Sequence, residues 1–200
     1  MIEGQDAVGK STQVDLLAER FRQQGEIVVT MHEPDGDLPQ AHVLSELIKN
    51  REHSLEPLTY VLLLMAARLE LWRKLAEPAL KKDGVVISAR NWWSTLAYQG
   101  YGLGVSRGKI TKIAHQVLPA KYIRPTHAVI LTLDDQARLA RQAKRKRNLK
   151  NDVFESKPSA FQQRVSAAYP KIAKQFEVAT LDASPAPIEI RDELIRMFGL

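Results

Sequence analysis

Short apolar runs alternate with longer amphipathic stretches along the whole chain. Ile27-Val28-Val29-Thr30, Val85-Val86-Ile87-Ser88 and Ala128 to Thr132 are β-branched or apolar and bounded by turn residues such as Gly25 and Gly84. Each predicts a short buried strand. Phe176 to Leu181 is a weaker run of the same kind. Between them lie helical periods. Thr12 to Gln24 places Val14, Leu16, Leu17 and Phe21 on one side, and Leu55 to Lys82 repeats Leu58, Leu62, Met65, Leu69, Trp72 and Leu75 at steps of three and four. Ser106 to Leu118, Asp134 to Lys146, Pro158 to Lys174 and Pro187 to Phe198 follow. Strands separated by helices pair in parallel through right-handed crossovers. Helices then cover both faces of the sheet, and ligands bind at the carboxyl ends of the strands. Only Met1, Ile2 and Glu3 precede Gly4. The first strand is therefore stunted, or residues upstream of it are missing. The pattern predicts one α/β domain over residues 1–200.

Gly4-Gln5-Asp6-Ala7-Val8-Gly9-Lys10-Ser11 matches G-x-x-x-x-G-K-[ST] at the first strand-to-helix junction. Two glycines let the backbone turn successive N–H groups inward as an anion nest, and the new helix adds its positive end. Such a P-loop puts Lys10 on the β- and γ-phosphates and the Ser11 hydroxyl on Mg²⁺. Residues 4 to 12, ending at Thr12, are the candidate ATP cradle. The motif names a donor and leaves the acceptor open.

Composition narrows the rest. Hydrophobic residues make up 44% and charged residues 26%, ordinary for a globular chain. With no cysteine there is no disulfide, zinc–thiolate site or cysteine nucleophile. The longest apolar run, Val61 to Ala67, falls well short of the about 20 residues that cross a bilayer. No secretory leader opens the chain, which predicts a cytoplasmic protein without membrane partners. The net charge of +6 is local: residues 138 to 150 hold seven cations and no acid, and the rest of the chain sums to −1. No Phe, Tyr or Trp interrupts that segment, so single-stranded nucleic acid has no stacking platform and nucleic-acid binding is a weak rival reading. A mobile cationic lid over a triphosphate accounts for the concentration better.

Further motifs stand at fixed intervals from the P-loop, and together they resemble bacterial thymidylate kinase. Glu3 to Thr12 is similar to the family's Glu-Gly-x-Asp-x-x-Gly-Lys-Ser-Thr. Thr30 to Pro34 is similar to its Thr-Arg-Glu-Pro, with His32 where arginine is usual. Leu64 to Arg68 with Pro78-Ala79-Leu80 resembles Phe-Ala-Ala-Asp-Arg and a later Pro-Ala-Leu. Ala89 to Gly100 resembles Asp-Arg-Tyr-x-x-Ser-x-x-Ala-Tyr-Gln-Gly, and an arginine-rich lid over about 138–153 precedes a Phe161-to-Tyr169 helix. The resemblance implies a three-layer P-loop NTPase fold with a parallel five-stranded sheet. It implies transfer of the γ-phosphoryl of ATP to dTMP, with Mg²⁺, and a homodimer acting on small nucleotides. It places Arg68 and Arg90 on the acceptor 5′-phosphate, Asp6 on the sugar hydroxyl, and Glu33, Pro34, Leu64, Thr95, Tyr98 and Gln99 around the acceptor.

Chemistry supports several of these assignments independently. In-line transfer between nucleotides needs two polyanions held end to end, and a guanidinium grips a phosphate through two parallel bonds. Arg90 just follows a strand, and Arg68 interrupts an apolar helix face where burial without an anion is costly. Some family members carry a catalytic arginine in the P-loop, where this chain has Ala7 and Val8. A lid residue (Arg141, Arg145 or Arg147) is expected to supply it beside Lys10 and Arg90. Two departures stand out. Ala89 replaces the family's aspartate, and Leu64 replaces a phenylalanine that stacks on the base, for which Trp92 or Trp93 is a candidate substitute. A kinase for another deoxynucleotide or nucleoside, or an impaired nucleotide-binding homologue, is the alternative.

Overall fold

The computed structural model describes residues 1–35, 38–144 and 152–200. Five parallel strands form one sheet: β1 (Ile2–Glu3), β2 (Val28–His32), β3 (Val85–Ala89), β4 (Val129–Thr132) and β5 (Ala179–Asp182), in the order β2-β3-β1-β4-β5. Chain order and spatial order differ because the connection from β1 to β2 leaves room for β3 between them, and the connection from β3 to β4 passes over β1. β1 is two residues long, yet it pairs with both neighbours: Ile2 lies opposite Ala89 on one side and Val129 on the other.

The period of two along the strands splits the interior into two cores. Ile2, Ile87, Ala89, Val129 and Leu131 face α1 (Lys10–Gln23) and α11 (Pro187–Phe198). Met31 and Ile130 face the other layer, built on α3 (Pro57–Leu71) with its neighbours. A three-layer sandwich results, with every central strand buried on both faces.

The predicted helix over 55–82 is interrupted. α3 ends at Leu71, a π-turn covers Trp72–Ala76, and the four-residue α4 (Glu77–Leu80) follows. Pro78 has no N–H to continue the α ladder, so the preceding turn widens and Glu77 bonds back to Trp72. The 158–174 prediction likewise divides, into α9 (Ser159–Ser166) and α10 (Ala168–Phe176), at Ala167, three residues before Pro170. The weak fourth strand begins three residues later than predicted, because Phe176 closes α10 and stacks on Trp93 at 5.0 Å. Three elements escaped the pattern. These are α2 (Pro39–Lys49), α5 (Trp92–Thr95) continued by a π-turn over Leu96–Gly102, and the short α7 (Ala120–Ile123). α2 buries Ala41, Ser45 and Ile48, and the first two are too small or polar to mark an apolar stripe. α6 (Arg107–Val117) follows its prediction closely. α8 (Asp135–Lys144) begins as expected, and the rest of its predicted span lies outside the described residues.

Candidate active site

The phosphate loop leaves β1 and enters α1 as its sequence requires. Gly4 and Gly9 adopt φ of 139° and 109°. A Cβ on Gly4 would lie 2.5 Å from the Leu131 carbonyl oxygen, so only glycine lets the loop lie against β4. Lys10 opens α1 with its ammonium donating to the Gln5 carbonyl at 2.7 Å. Ser11 and Lys10 line a cavity of about 400 Å³ at the carboxyl edge of the sheet. Gln5 turns the other way and donates to the Gln162 carbonyl and side chain on α9 at 3.2 and 3.3 Å.

The acceptor candidates meet in the same cavity. Asp6, Glu33, Pro34, Leu64, Arg68, Arg90, Thr95, Tyr98 and Gln99 all line it. Arg90 has φ of 78°, a left-handed backbone that a non-glycine residue adopts at a cost of roughly 1–3 kcal/mol. Its guanidinium donates through Nη2 to Asp6 Oδ1 and through Nη1 to Ser94 Oγ at 2.9 Å. Burial opposes its charge, but the Asp6 carboxylate and the polar groups around it hold the guanidinium more firmly protonated than usual. Two of its five N–H groups are used this way. Asp6 also accepts from the Tyr98 hydroxyl at 2.6 Å, and Tyr98 is pushed well above its ordinary range by burial and by that carboxylate. Gln99 is buried, and its Oε1 has no hydrogen-bond partner among the described residues.

Arg68 finds its anion inside the protein. It is 1% exposed and donates through Nε to Glu33 Oε2 at 2.9 Å, through Nη1 to Thr95 Oγ1 at 2.8 Å and through Nη2 to the Asn91 carbonyl at 3.0 Å. Glu33 also accepts from the Tyr122 hydroxyl at 2.6 and 2.7 Å, and Asn91 donates to the Tyr122 carbonyl at 3.1 Å. The buried Arg68 guanidinium thus has its counter-charge already in place in Glu33 and forms part of the cavity floor. Burial raises the Glu33 carboxyl from its ordinary 4.5 to about 7, against the pull of Arg68 and Tyr122.

The two departures have structural answers. Ala89 ends β3 between two buried carboxylates, Glu3 at the end of β1 and Glu33 just past β2, whose amide bonds to the Ala89 carbonyl at 3.1 Å. Trp92 and Trp93 do not replace the stacking ring. Both are packed within the core and line a separate hollow of about 660 Å³ with His115 and Phe176. Phe154 lines the cavity beside Tyr98 and packs edge-on against Tyr60 and Tyr98. Glu3, Asn91, Tyr122 and Phe154 were not singled out from the sequence. Their work depends on partners up to 91 positions away.

Among the candidate lid arginines, Arg141 reaches the phosphate loop, donating to the Val8 carbonyl at 3.3 Å and the Ala183 carbonyl at 2.8 Å. Arg138 is buried and donates to Asp135 at 3.2 Å. Arg145 and Arg147 lie outside the described residues, as does the middle of the lid, residues 145–151. Its far end is pinned: the Val153 amide bonds to the Lys49 carbonyl at 2.8 Å, and Asp152 and Glu155 line the cavity. His32 lines it too, with Nε2 3.9 Å from Asp15 on α1.

The cavity offers oxygen donors of the type Mg²⁺ takes, from Ser11, Asp152 and Glu155. No group of three His, Cys, Asp or Glu among the described residues forms a protein cage for a metal.

The model of the family described as thymidylate kinase matches residues 2–195. The chain belongs to the thymidylate kinase family. The thymidylate kinase of Chlorobaculum parvum is 33% identical over 201 residues, covering 96% of this chain and 91% of that protein. That of Pseudomonas fluorescens is 35% identical over 168 residues, covering 84% and 78%. The crystal structure of thymidylate kinase from Ehrlichia chaffeensis superposes with a TM-score of 0.76 at 26% identity, covering 98% of this chain and 95% of that one. The family's fold is therefore present along nearly the whole chain. Among the described residues no helix is long and apolar enough to cross a membrane.

Proposed function

We propose that this protein transfers the γ-phosphoryl group of ATP to dTMP, giving dTDP. One observation carries the reading: Lys10 and Ser11 of the phosphate loop share a single cavity with Arg90, Tyr98 and Gln99. A cavity of about 400 Å³ lies in the range that encloses small ligands. It brings a triphosphate cradle and a second cationic grip to one place, as end-to-end transfer requires.

The roles follow from the contacts. The loop amides and Lys10 hold the donor phosphates. Arg90, aimed by Asp6 and Ser94, takes the acceptor phosphate with its remaining N–H groups. Gln99 Oε1 is a buried acceptor without a partner among the described residues, which suits a base that offers a ring N–H, as thymine does. Leu64, Pro34 and Phe154 supply apolar wall, and Thr95 and Glu33 hold Arg68 in the floor. Arg141, already against the loop at Val8, is the described lid residue placed to meet the transferring group. Mg²⁺ held by Ser11, with Asp152 and Glu155 nearby, would neutralise charge on the β- and γ-phosphates.

Coupled ATP-turnover assays across dTMP, dUMP, dCMP, dGMP and dAMP test the proposal. Turnover is expected to be fastest with dTMP. A faster purine acceptor, or none at all, would overturn it. We further propose that two copies pair through α2 and α3. These helices pack together and expose Val43, Leu58 and Leu62. Light scattering should give twice the chain mass of 22.5 kDa, and Leu62→Glu should halve it.

A further inference from the structure

Glu3 is fully buried and does not line the cavity, yet its two oxygens collect four donors. Oε2 accepts from the Gly4 amide at 3.1 Å and the Ser94 hydroxyl at 2.9 Å. Oε1 accepts from the Asn91 amide at 2.6 Å and the Ser94 amide at 3.1 Å. Gly4 is the first residue of the phosphate loop. Asn91 and Ser94 belong to the turn that follows Arg90. A carboxylate is the side chain that accepts all four, since an amide of the same shape would turn an N–H toward two of these donors.

The bond directions run one way. Arg90 Nη1 donates to Ser94 Oγ at 2.9 Å, and the Ser94 hydroxyl donates to Glu3. The left-handed backbone of Arg90 is clamped from the same side. Its amide donates to the Ile2 carbonyl at 2.9 Å, its carbonyl accepts from Ser88 Oγ at 2.8 Å, and Glu3 holds the next amide. Strain at such a position persists only where surrounding bonds over-determine it.

We infer that Glu3 is a positioning residue that sets the acceptor guanidinium of Arg90 relative to the donor phosphate loop. One carboxylate anchors the first amide of the cradle and the hydroxyl that aims the grip, so the two polyanion sites are referenced to a single buried point. Rate depends steeply on that distance, because in-line transfer needs reacting atoms in near-contact. The inference rests on the phosphoryl-transfer reading above.

The test uses Glu3→Gln, Ser94→Ala and the double variant, with calorimetric binding of dTMP measured beside turnover. Glu3→Gln and Ser94→Ala should each raise the KM and Kd for dTMP about tenfold. The KM for ATP should stay within about twofold in Ser94→Ala, which leaves the Gly4 amide held, and rise in Glu3→Gln, which does not. The double variant should be no worse than the larger single, because both cut one chain of bonds. Ser94→Thr, which keeps the hydroxyl, should restore most of the affinity. If Glu3→Gln lowers only the melting temperature and leaves dTMP binding unchanged, or if the two effects add, the inference fails. Should Glu3→Gln not fold, an unchanged dTMP Kd in Ser94→Ala overturns it alone. Wild-type protein that binds dTMP but never phosphorylates it would sink the functional reading instead, and the binding data would still decide the role of Glu3.

Discussion

Asp6 and Arg90 hold each other across the seam between the two candidate nucleotide sites. Asp6 sits in the phosphate loop and Arg90 follows the neighbouring strand β3, and an ion pair joins Asp6 Oδ1 to Arg90 Nη2. A carboxylate in a phosphate loop repels the donor, so its presence needs a reason, and Arg90 with Tyr98 provides one. Asp6→Asn should loosen the guanidinium and weaken dTMP binding by about 1–2 kcal/mol, with ATP affinity unchanged or improved. Steady-state kinetics with each substrate varied in turn would show it as a rise in the dTMP KM alone.

Glu33 gives the fold a pH dependence of definite sign. Its carboxyl is raised from 4.5 to about 7 in the folded protein, chiefly by burial. The folded state therefore binds this proton more tightly than the unfolded chain does. The contribution is most favourable below about pH 4.5 and is lost as pH rises through about 7. Urea unfolding at intervals from pH 4.5 to 8 should show stability falling over that window by more in the wild type than in Glu33→Gln. Equal slopes in the two proteins would contradict the assignment.

Restoring an acid at the end of β3 should have two opposed effects. Ala89→Asp places a third carboxylate between Glu3 and Glu33 in a buried setting, which should lower the melting temperature by several degrees. It also adds an oxygen donor to the cavity that holds Ser11, so half-maximal activity should need several-fold less Mg²⁺. A magnesium titration of both proteins decides the second point.

Arg141 bonds to the carbonyls of Val8 and Ala183, and a glutamine there cannot reach both or carry charge. Arg141→Gln should lower kcat about tenfold or more while leaving the dTMP KM unchanged. A variant with wild-type kcat would move the catalytic assignment to Arg145 or Arg147.

Legibility followed the range of the interactions. β3, β4, α6 and α11 were readable because periodic apolar residues and nearby turn residues specify them locally. The stretch Trp92–Gly102 was not read as helix, because it is buried all round and carries Gly100 and Gly102. Its helical turns are held by distant groups, among them Glu3, which accepts from the amides of Asn91 and Ser94 at the start of α5. Arg68 is the instructive case. Its burial and its need for an anion could be inferred from an apolar helix face, but the identity of that anion could not. Glu33 lies 35 positions away and meets Arg68 only once β2 and α3 are packed together.

The sequence by itself determined the phosphate-loop motif and the α/β class, since each depends on spacing and periodicity within local segments, while the acceptor candidates rested on the family resemblance. The tertiary structure alone decided what each charge does. It assigned Arg68 to Glu33, Arg90 to Asp6 and Ser94, and Trp92 and Trp93 to packing. A guanidinium or carboxylate takes whichever opposite group the fold brings within about 3 Å of it in a dry interior, and that choice is made by strand order and helix packing rather than by neighbours in the chain.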